Sequence, residues 1–157
     1  MINIPHILLA AGASRRMGEP KQLLRWGNKR LIQFQIENIL NTTKRLYVIL
    51  GAHADLIEPF LMGYDIELIR FNEWESGMGD SLAFGVKYIK NSLSNLDGIL
   101  ISLIDQPLIL TSHYLKMRNI FEKDKKQIIA SESDMGWAGV PILFDVFYFD
   151  QIMTLTG

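Results

Sequence analysis

Ile7 to Ala11 is a continuous apolar run that breaks at Gly12-Ala13-Ser14, and the chain repeats this figure along its length. Such a short run reads as a buried strand, whereas apolar residues recurring every three or four positions read as one face of a helix. Arg30 to Leu40 carries Ile32, Ile36, Ile39 and Leu40 at helical spacing, and Leu46 to Leu50 is a second strand ending at Gly51. His53 to Leu61 reads as a short helix interrupted by Pro59, and Ile66 to Phe71 as a third strand. Asn72 to Gly79 is a loop before a helix over Asp80 to Lys90, with Leu82, Val86 and Ile89 on one face. Asp97 to Leu103 is the fourth strand. Thr111 to Glu122 is a helix with Thr111 as its N-cap and Tyr114, Met117 and Phe121 on one side. Gln127 to Ser131 and Val140 to Phe144 are later strands, and Asp145 to Leu155 reads as a final helix with Phe147, Ile152 and Leu155 inward.

Strands alternating with helices predict a mostly parallel sheet covered on both faces, a three-layer α/β/α arrangement. No repeat or linker interrupts the series, so residues 1–157 read as a single domain with room for a real core. Net charge is −1, which argues against a general nucleic-acid or membrane surface and confines any cationic site to one place. The absence of cysteine removes thiol catalysis and thiolate metal sites and fits a reducing compartment. The first apolar run does not read as a signal peptide, because Arg15 and Arg16 follow it and no Lys or Arg precedes it. No apolar run approaches the ~20 residues of a membrane span, and the expected location is cytoplasmic.

Chemistry concentrates in Leu8 to Lys21, where small residues are followed by Arg15, Arg16 and Lys21 in a loop broken by Gly18 and Pro20. Small residues let backbone N–H groups approach a ligand and form an anion-binding nest, and cations on the same loop suit a polyphosphate. Two other phosphate loops fail on spacing. A Walker A loop needs four residues between its glycines and Lys-Ser/Thr after them, but five residues separate Gly12 from Gly18 and Gln22 follows Lys21. The dinucleotide fingerprint needs a second glycine where Ser14 stands. A second stretch, Ile104-Asp105-Gln106-Pro107, follows the fourth strand and sets a carboxylate where ligands bind in an open α/β sheet. Asp105 lies six residues before Thr111, too far to cap that helix. A third, Glu75 to Leu82, is glycine-rich and opens a helix, so Asp80 and Ser81 read either as caps or as contacts to a ligand. His6, His53 and His113 show no metal-ligand spacing and read as structural.

The pattern Leu-Ala-Ala-Gly-x-Ser-x-Arg-Met-Gly-x-x-Lys of residues 9–21 resembles the signature of nucleotidyltransferases, most nearly the molybdenum cofactor cytidylyltransferases and guanylyltransferases. The resemblance runs over essentially the whole chain and implies a Rossmann-like nucleotidyltransferase fold. It implies that Leu9, Ala10, Ala11, Gly12, Ala13 and Ser14 hold the nucleotide, that Arg16 and Lys21 grip its phosphates, and that Asp105 binds catalytic Mg²⁺. Family members place a glycine before that Asp, where this chain has Ile104. Gly79, Asp80 and Ser81 match a stretch that contacts the base. Gly136 to Pro141 matches the acceptor side, where Trp137 either stacks on a pterin or covers the core. The family continues beyond the position of Gly157 into an Asp-containing turn, so the domain reads as short at its C-terminus: either the sequence is cut there, or the protein is a short relative, in which transfer is expected to be weakened and nucleotide binding kept.

What the resemblance implies is an Mg²⁺-dependent transfer of CMP, or GMP, from CTP or GTP to the terminal phosphate of a molybdopterin-type acceptor. A molybdoenzyme or its chaperone is the implied protein partner. Two alternatives stay open: a cytidylyltransferase for a sugar or polyol phosphate, and a non-catalytic nucleotide- or cofactor-binding domain.

Overall fold

The computed structural model describes residues 1–16 and 18–157; Met17 of the opening motif lies outside the described residues. Strands β1 (His6–Ala10), β4 (Leu46–Leu50), β5 (Glu67–Arg70) and β6 (Gly98–Leu103) run parallel, and β7 (Ile128–Glu132) and β8 (Ala138–Asp145) complete a six-stranded sheet. Its order is β5-β4-β1-β6-β8-β7. A small antiparallel hairpin, β2 (Arg25–Trp26) and β3 (Lys29–Arg30), turns about Gly27 outside this sheet.

Alternation within each strand sorts the core into two faces. Leu8 and Ala10 of β1 face α1 (Leu31–Leu40) and α4 (Thr111–Ile120), where they meet Ile32, Ile36, Tyr114 and Met117. Ile7 and Leu9 face α3 (Met78–Ser92) and α5 (Phe149–Ile152), where they meet Val86, Ile89 and Phe149. Helix α3 comes close to the sheet because Gly85 has no side chain; a Cβ there would collide with Ile49 Cδ1. The remaining helix, α2 (Ala54–Ile57), is one turn that continues as a 3-10 turn over Glu58–Leu61, with Pro59 early in it.

Connections from β1 lead towards β4 on one side, and those from β6 lead towards β8 and β7 on the other. The carboxyl ends of β1 and β6 therefore flank a topological switch point, where such sheets bind ligands. The two strands are held in register from His6↔Leu100 to Leu9↔Leu103, and the Ile104 N–H donates to the Leu9 carbonyl at 3.2 Å.

Several expectations need correction. The late strands form an antiparallel hairpin, and β8 also runs against β6, so alternation with parallel strands stops after β6. Thr111 is not a cap. Leu110 precedes the helix without a side-chain bond, and the Thr111 hydroxyl donates to Asn38 Oδ1 at 2.6 Å. The final helix is a 3-10 turn, Val146–Tyr148, followed by the short α5. The buried Asp145 caps that turn by accepting from the Phe147 N–H, which leaves Phe147 and Leu155 exposed while Phe149 and Ile152 turn inward. No helix among the described residues is long and apolar enough to cross a membrane.

Candidate nucleotide site

The three stretches singled out by sequence meet in one cleft of about 140 Å³ at the switch point. β1 and the loop after it contribute Leu9, Ala11, Gly12 and Lys21; the end of β6 and the residues after it contribute Leu103, Ile104 and Asp105; the residue before α3 and the helix's start contribute Gly77, Met78 and Ser81. Trp74 closes one side. Lys21 Nζ stands 3.8 Å from Asp105 Oδ2, with side chains 29% and 54% exposed. A pair so exposed adds at most about 1 kcal/mol, so neither charge is required there to hold the fold. Ile104 needs no glycine-like geometry: it is buried, outside the positive-φ region, and its carbonyl accepts from Gln35 Nε2 at 3.3 Å.

The loop itself has an asymmetry of donors and acceptors. Gln22 Nε2 donates to the carbonyls of Ala10 at 2.9 Å and Gly12 at 3.2 Å. The Ala52 N–H donates to the Ala11 carbonyl at 3.1 Å, and His53 Nε2 lies 2.8 Å from the Ala13 carbonyl. Four successive carbonyls are thus occupied. Among the described residues, the N–H groups of Gly12, Ala13, Ser14 and Arg15 enter no such bond. Ser14 bends the loop through a left-handed conformation, φ 55°, and its Oγ accepts from the Lys21 N–H at 3.0 Å, which ties the cation to the nest. A surface with its acceptors used and its donors open matches an acceptor-rich ligand such as a phosphate chain.

A wider cleft of about 760 Å³ lies on the other side of Trp74 and includes Ala13, Ser14, Arg15, His53, Asp55, Arg70 and Asn72. Trp74 can stand between the two because Gly51 lies beneath it; a Cβ there would come 2.5 Å from Trp74 Cβ. The Arg15 guanidinium lies 5.9 Å from the Trp74 ring centroid. Arg70 pairs with Asp55 at 2.7 Å and with Glu58, so its charge is already countered.

Not every residue singled out by sequence reaches a cleft. Arg16 is exposed and lines neither one, whereas Arg15 lines the wider. Gly79 and Asp80 face the chain's last residue instead. The Gly79 N–H donates to the Gly157 carbonyl at 2.6 Å, and the Gly157 N–H donates to Asp80 Oδ2 at 3.0 Å. Ser81 is buried and lines the narrow cleft, its hydroxyl donating to the Met78 carbonyl at 3.0 Å. Trp137 is 73% exposed, which removes the expectation that it covers the core. The loop around Asp105 is tied to β8 by Gln106 Nε2, which donates to the Val140 carbonyl at 3.0 Å.

Sequence reasoning missed Gln22, His53 and Trp74. His6 and His113 take the structural places expected, each 2.8 Å from a serine hydroxyl (Ser102 and Ser131), but His53 reaches the loop. The one signal available was position: Gln22 adjoins Lys21, and His53 follows the strand beside β1. As for metal, no group of three or more His, Cys, Asp or Glu side chains clusters among the described residues. A lone carboxylate at a cleft fits Mg²⁺, which keeps several waters and takes one or two carboxylates plus substrate phosphates.

The chain matches the family model of the MobA-like NTP transferase domain over residues 6–157. It is 28% identical over 161 residues to the purine catabolism protein PucB of Bacillus subtilis, covering 96% of this chain and 75% of that protein. It is 30% identical over 130 residues to the molybdenum cofactor guanylyltransferase of Campylobacter jejuni, covering 79% of this chain and 60% of that one. In structure it superposes on Rv0371c of Mycobacterium tuberculosis with a TM-score of 0.86 at 21% identity, over 99% of this chain and 78% of that chain. That protein has also been crystallised in complex with manganese. The Rossmann-like nucleotidyltransferase fold expected from the opening loop is thereby shown.

Proposed function

The chain belongs to the MobA-like NTP transferase domains, a family of nucleotidyltransferase-type enzymes, and we propose that it transfers CMP or GMP from CTP or GTP to the terminal phosphate of a molybdopterin-type acceptor. The observation that carries this reading is the convergence of the donor-rich loop, Lys21 and Asp105 on one cleft. An oxygen of the acceptor's phosphate attacks the α-phosphorus, a new P–O bond forms in line, the α–β P–O bond breaks, and pyrophosphate leaves. An ionised phosphate is already a nucleophile, so this chain supplies no general base.

The residues do two things. The N–H groups of Gly12 to Arg15, unbonded among the described residues, and the Lys21 ammonium hold the phosphate chain and stabilise charge that shifts among its oxygens. Trp74 and the walls of the cleft fix the direction of attack, which converts a meeting of two anions into a step within one complex. Asp105 would hold Mg²⁺, which supplies charge neutralisation between the two phosphate groups when bound. The guanylyltransferase of C. jejuni supports the choice of acceptor, and Ser81 beside the cleft supports a base seated near the start of α3.

Calorimetric titration of CTP and GTP with Mg²⁺ tests the reading. One nucleotide is expected to bind at micromolar strength. Lys21→Ala weakens it by roughly ten-fold or more, as loss of a charge-assisted contact does, and Asp105→Ala removes its dependence on Mg²⁺. Failure of both nucleotides to bind overturns the proposal. If one binds, pyrophosphate release with molybdopterin, or with sugar and polyol phosphates instead, identifies the acceptor.

A further inference from the structure

We propose that Gln22 and His53 are positioning residues that hold the loop after β1 in its donor-presenting shape; the inference rests on the reading of that loop as a phosphate site. A peptide plane carries its N–H and C=O on opposite sides, so fastening a carbonyl on one side aims the neighbouring N–H groups to the other. A glycine- and alanine-rich loop has no large side chains to fix its planes, and its shape must come from outside. Two side chains and one backbone N–H supply it here. Gln22, fully buried, spans two alternate carbonyls, Ala10 and Gly12, with one amide nitrogen. The Ala52 N–H takes the carbonyl between them, and His53 takes Ala13.

His53 adopts a left-handed backbone conformation, φ 61° and ψ 19°, uncommon for a residue with a side chain. A sequence free to choose would place Gly or Asn there, yet only a side chain with a far-reaching donor closes the last carbonyl. The carbonyl oxygen is an acceptor, so Nε2 must carry a proton, and in a neutral ring Nδ1 is then the bare nitrogen. Neither residue lines the narrow cleft. Their effect passes through the loop, so they govern the affinity for phosphate by fixing the orientation of its peptide planes.

Three measurements on the full chain test this. Histidine ¹⁵N NMR at alkaline pH, where imidazole is neutral, reads the tautomer; the expected form of His53 is Nε2–H, and an Nδ1–H form overturns its part in the clamp. Calorimetry with inorganic tripolyphosphate and Mg²⁺ reads the loop without any base. Gln22→Met, which keeps length and loses the donor, and His53→Asn, which tolerates the left-handed backbone and loses the reach, are each expected to weaken tripolyphosphate roughly ten-fold. Thermal melts taken alongside show whether the variants are folded. If Gln22→Met does not fold, His53→Asn and the tautomer decide. Wild-type affinity in a folded variant overturns the inference while leaving the phosphate site intact. Wild-type protein that ignores tripolyphosphate overturns both.

Discussion

Gly85→Ala sets two effects of opposite sign against each other. Within α3, alanine is favoured over glycine by about 1 kcal/mol through helix propensity. Against this, the new methyl collides with Ile49 Cδ1 and comes 3.4 Å from Ile7 Cδ1, both on fully buried side chains of the sheet. Overpacking of this kind costs about 1–3 kcal/mol, so the substitution is expected to destabilise by about 1 kcal/mol net. The colliding atom is the end of a side chain, which suggests its own remedy. Ile49→Val removes that methyl and alone costs about 0.5–1.5 kcal/mol. Made in the Gly85→Ala background it opens room for the new group, and the double variant is expected within about 0.5 kcal/mol of wild type, a coupling of about 1–2 kcal/mol. Urea unfolding of the four proteins measures this directly, with the slope checked for constancy. Strict additivity, or a Gly85→Ala protein more stable than wild type, refutes the close approach of α3 to β4.

Other consequences follow from the buried polar groups. Burial first, and the charge of Arg118 second, hold the His6 imidazole well below its ordinary pKa, so it is neutral when folded at neutral pH. The unfolded chain takes up that proton near pH 6.5, so stability falls with decreasing pH below that point, by up to about 1.4 kcal/mol per unit from this group. His6→Gln is expected to flatten the urea-derived stability profile between pH 6.5 and 5, and an unchanged slope refutes the assignment. Arg118, its pKa pushed down to about 10 by burial, donates to the Ile4 carbonyl at 2.7 Å, but its Nε and Nη2 find no partner among the described residues. Arg118→Met, which removes a poorly compensated buried charge, is expected to leave stability unchanged or raise it by about 1 kcal/mol in thermal or urea unfolding; a loss above about 2 kcal/mol contradicts this.

The parts of the fold legible in the sequence are those in which a single periodicity governs. β1, β4 and β6 are buried on both faces and read as largely apolar runs, so the loop after β1 and Asp105 after β6 are placed at strand ends by the sequence alone. β7 and β8 are legible as strands, and the alternating burial along them is what antiparallel pairing produces, so their reversed direction was missed rather than hidden. Asp145 to Leu155 carries helical spacing, yet a carboxylate cap at Asp145 winds the first residues into a tighter turn and rotates Phe147 out. The clamps on the loop were invisible for a different reason. Gln22 and His53 act on backbone carbonyls up to 40 residues away, and such bonds leave no mark on the spacing of residue types.

The reversed direction of β8 separates what must be constant in this molecule from what is free to vary. Because β8 runs against β6, the turn before Ala138 rises beside Asp105, at the same end of the sheet as the loop after β1. The loop after β1 and Asp105 are spaced by the ladder between β1 and β6, deep in the sheet. The turn carrying Trp137 is only the bend of a peripheral hairpin, and its length and composition can change without moving either of them. Residues at the rim can therefore change one by one while the spacing between the loop after β1 and Asp105 stays fixed.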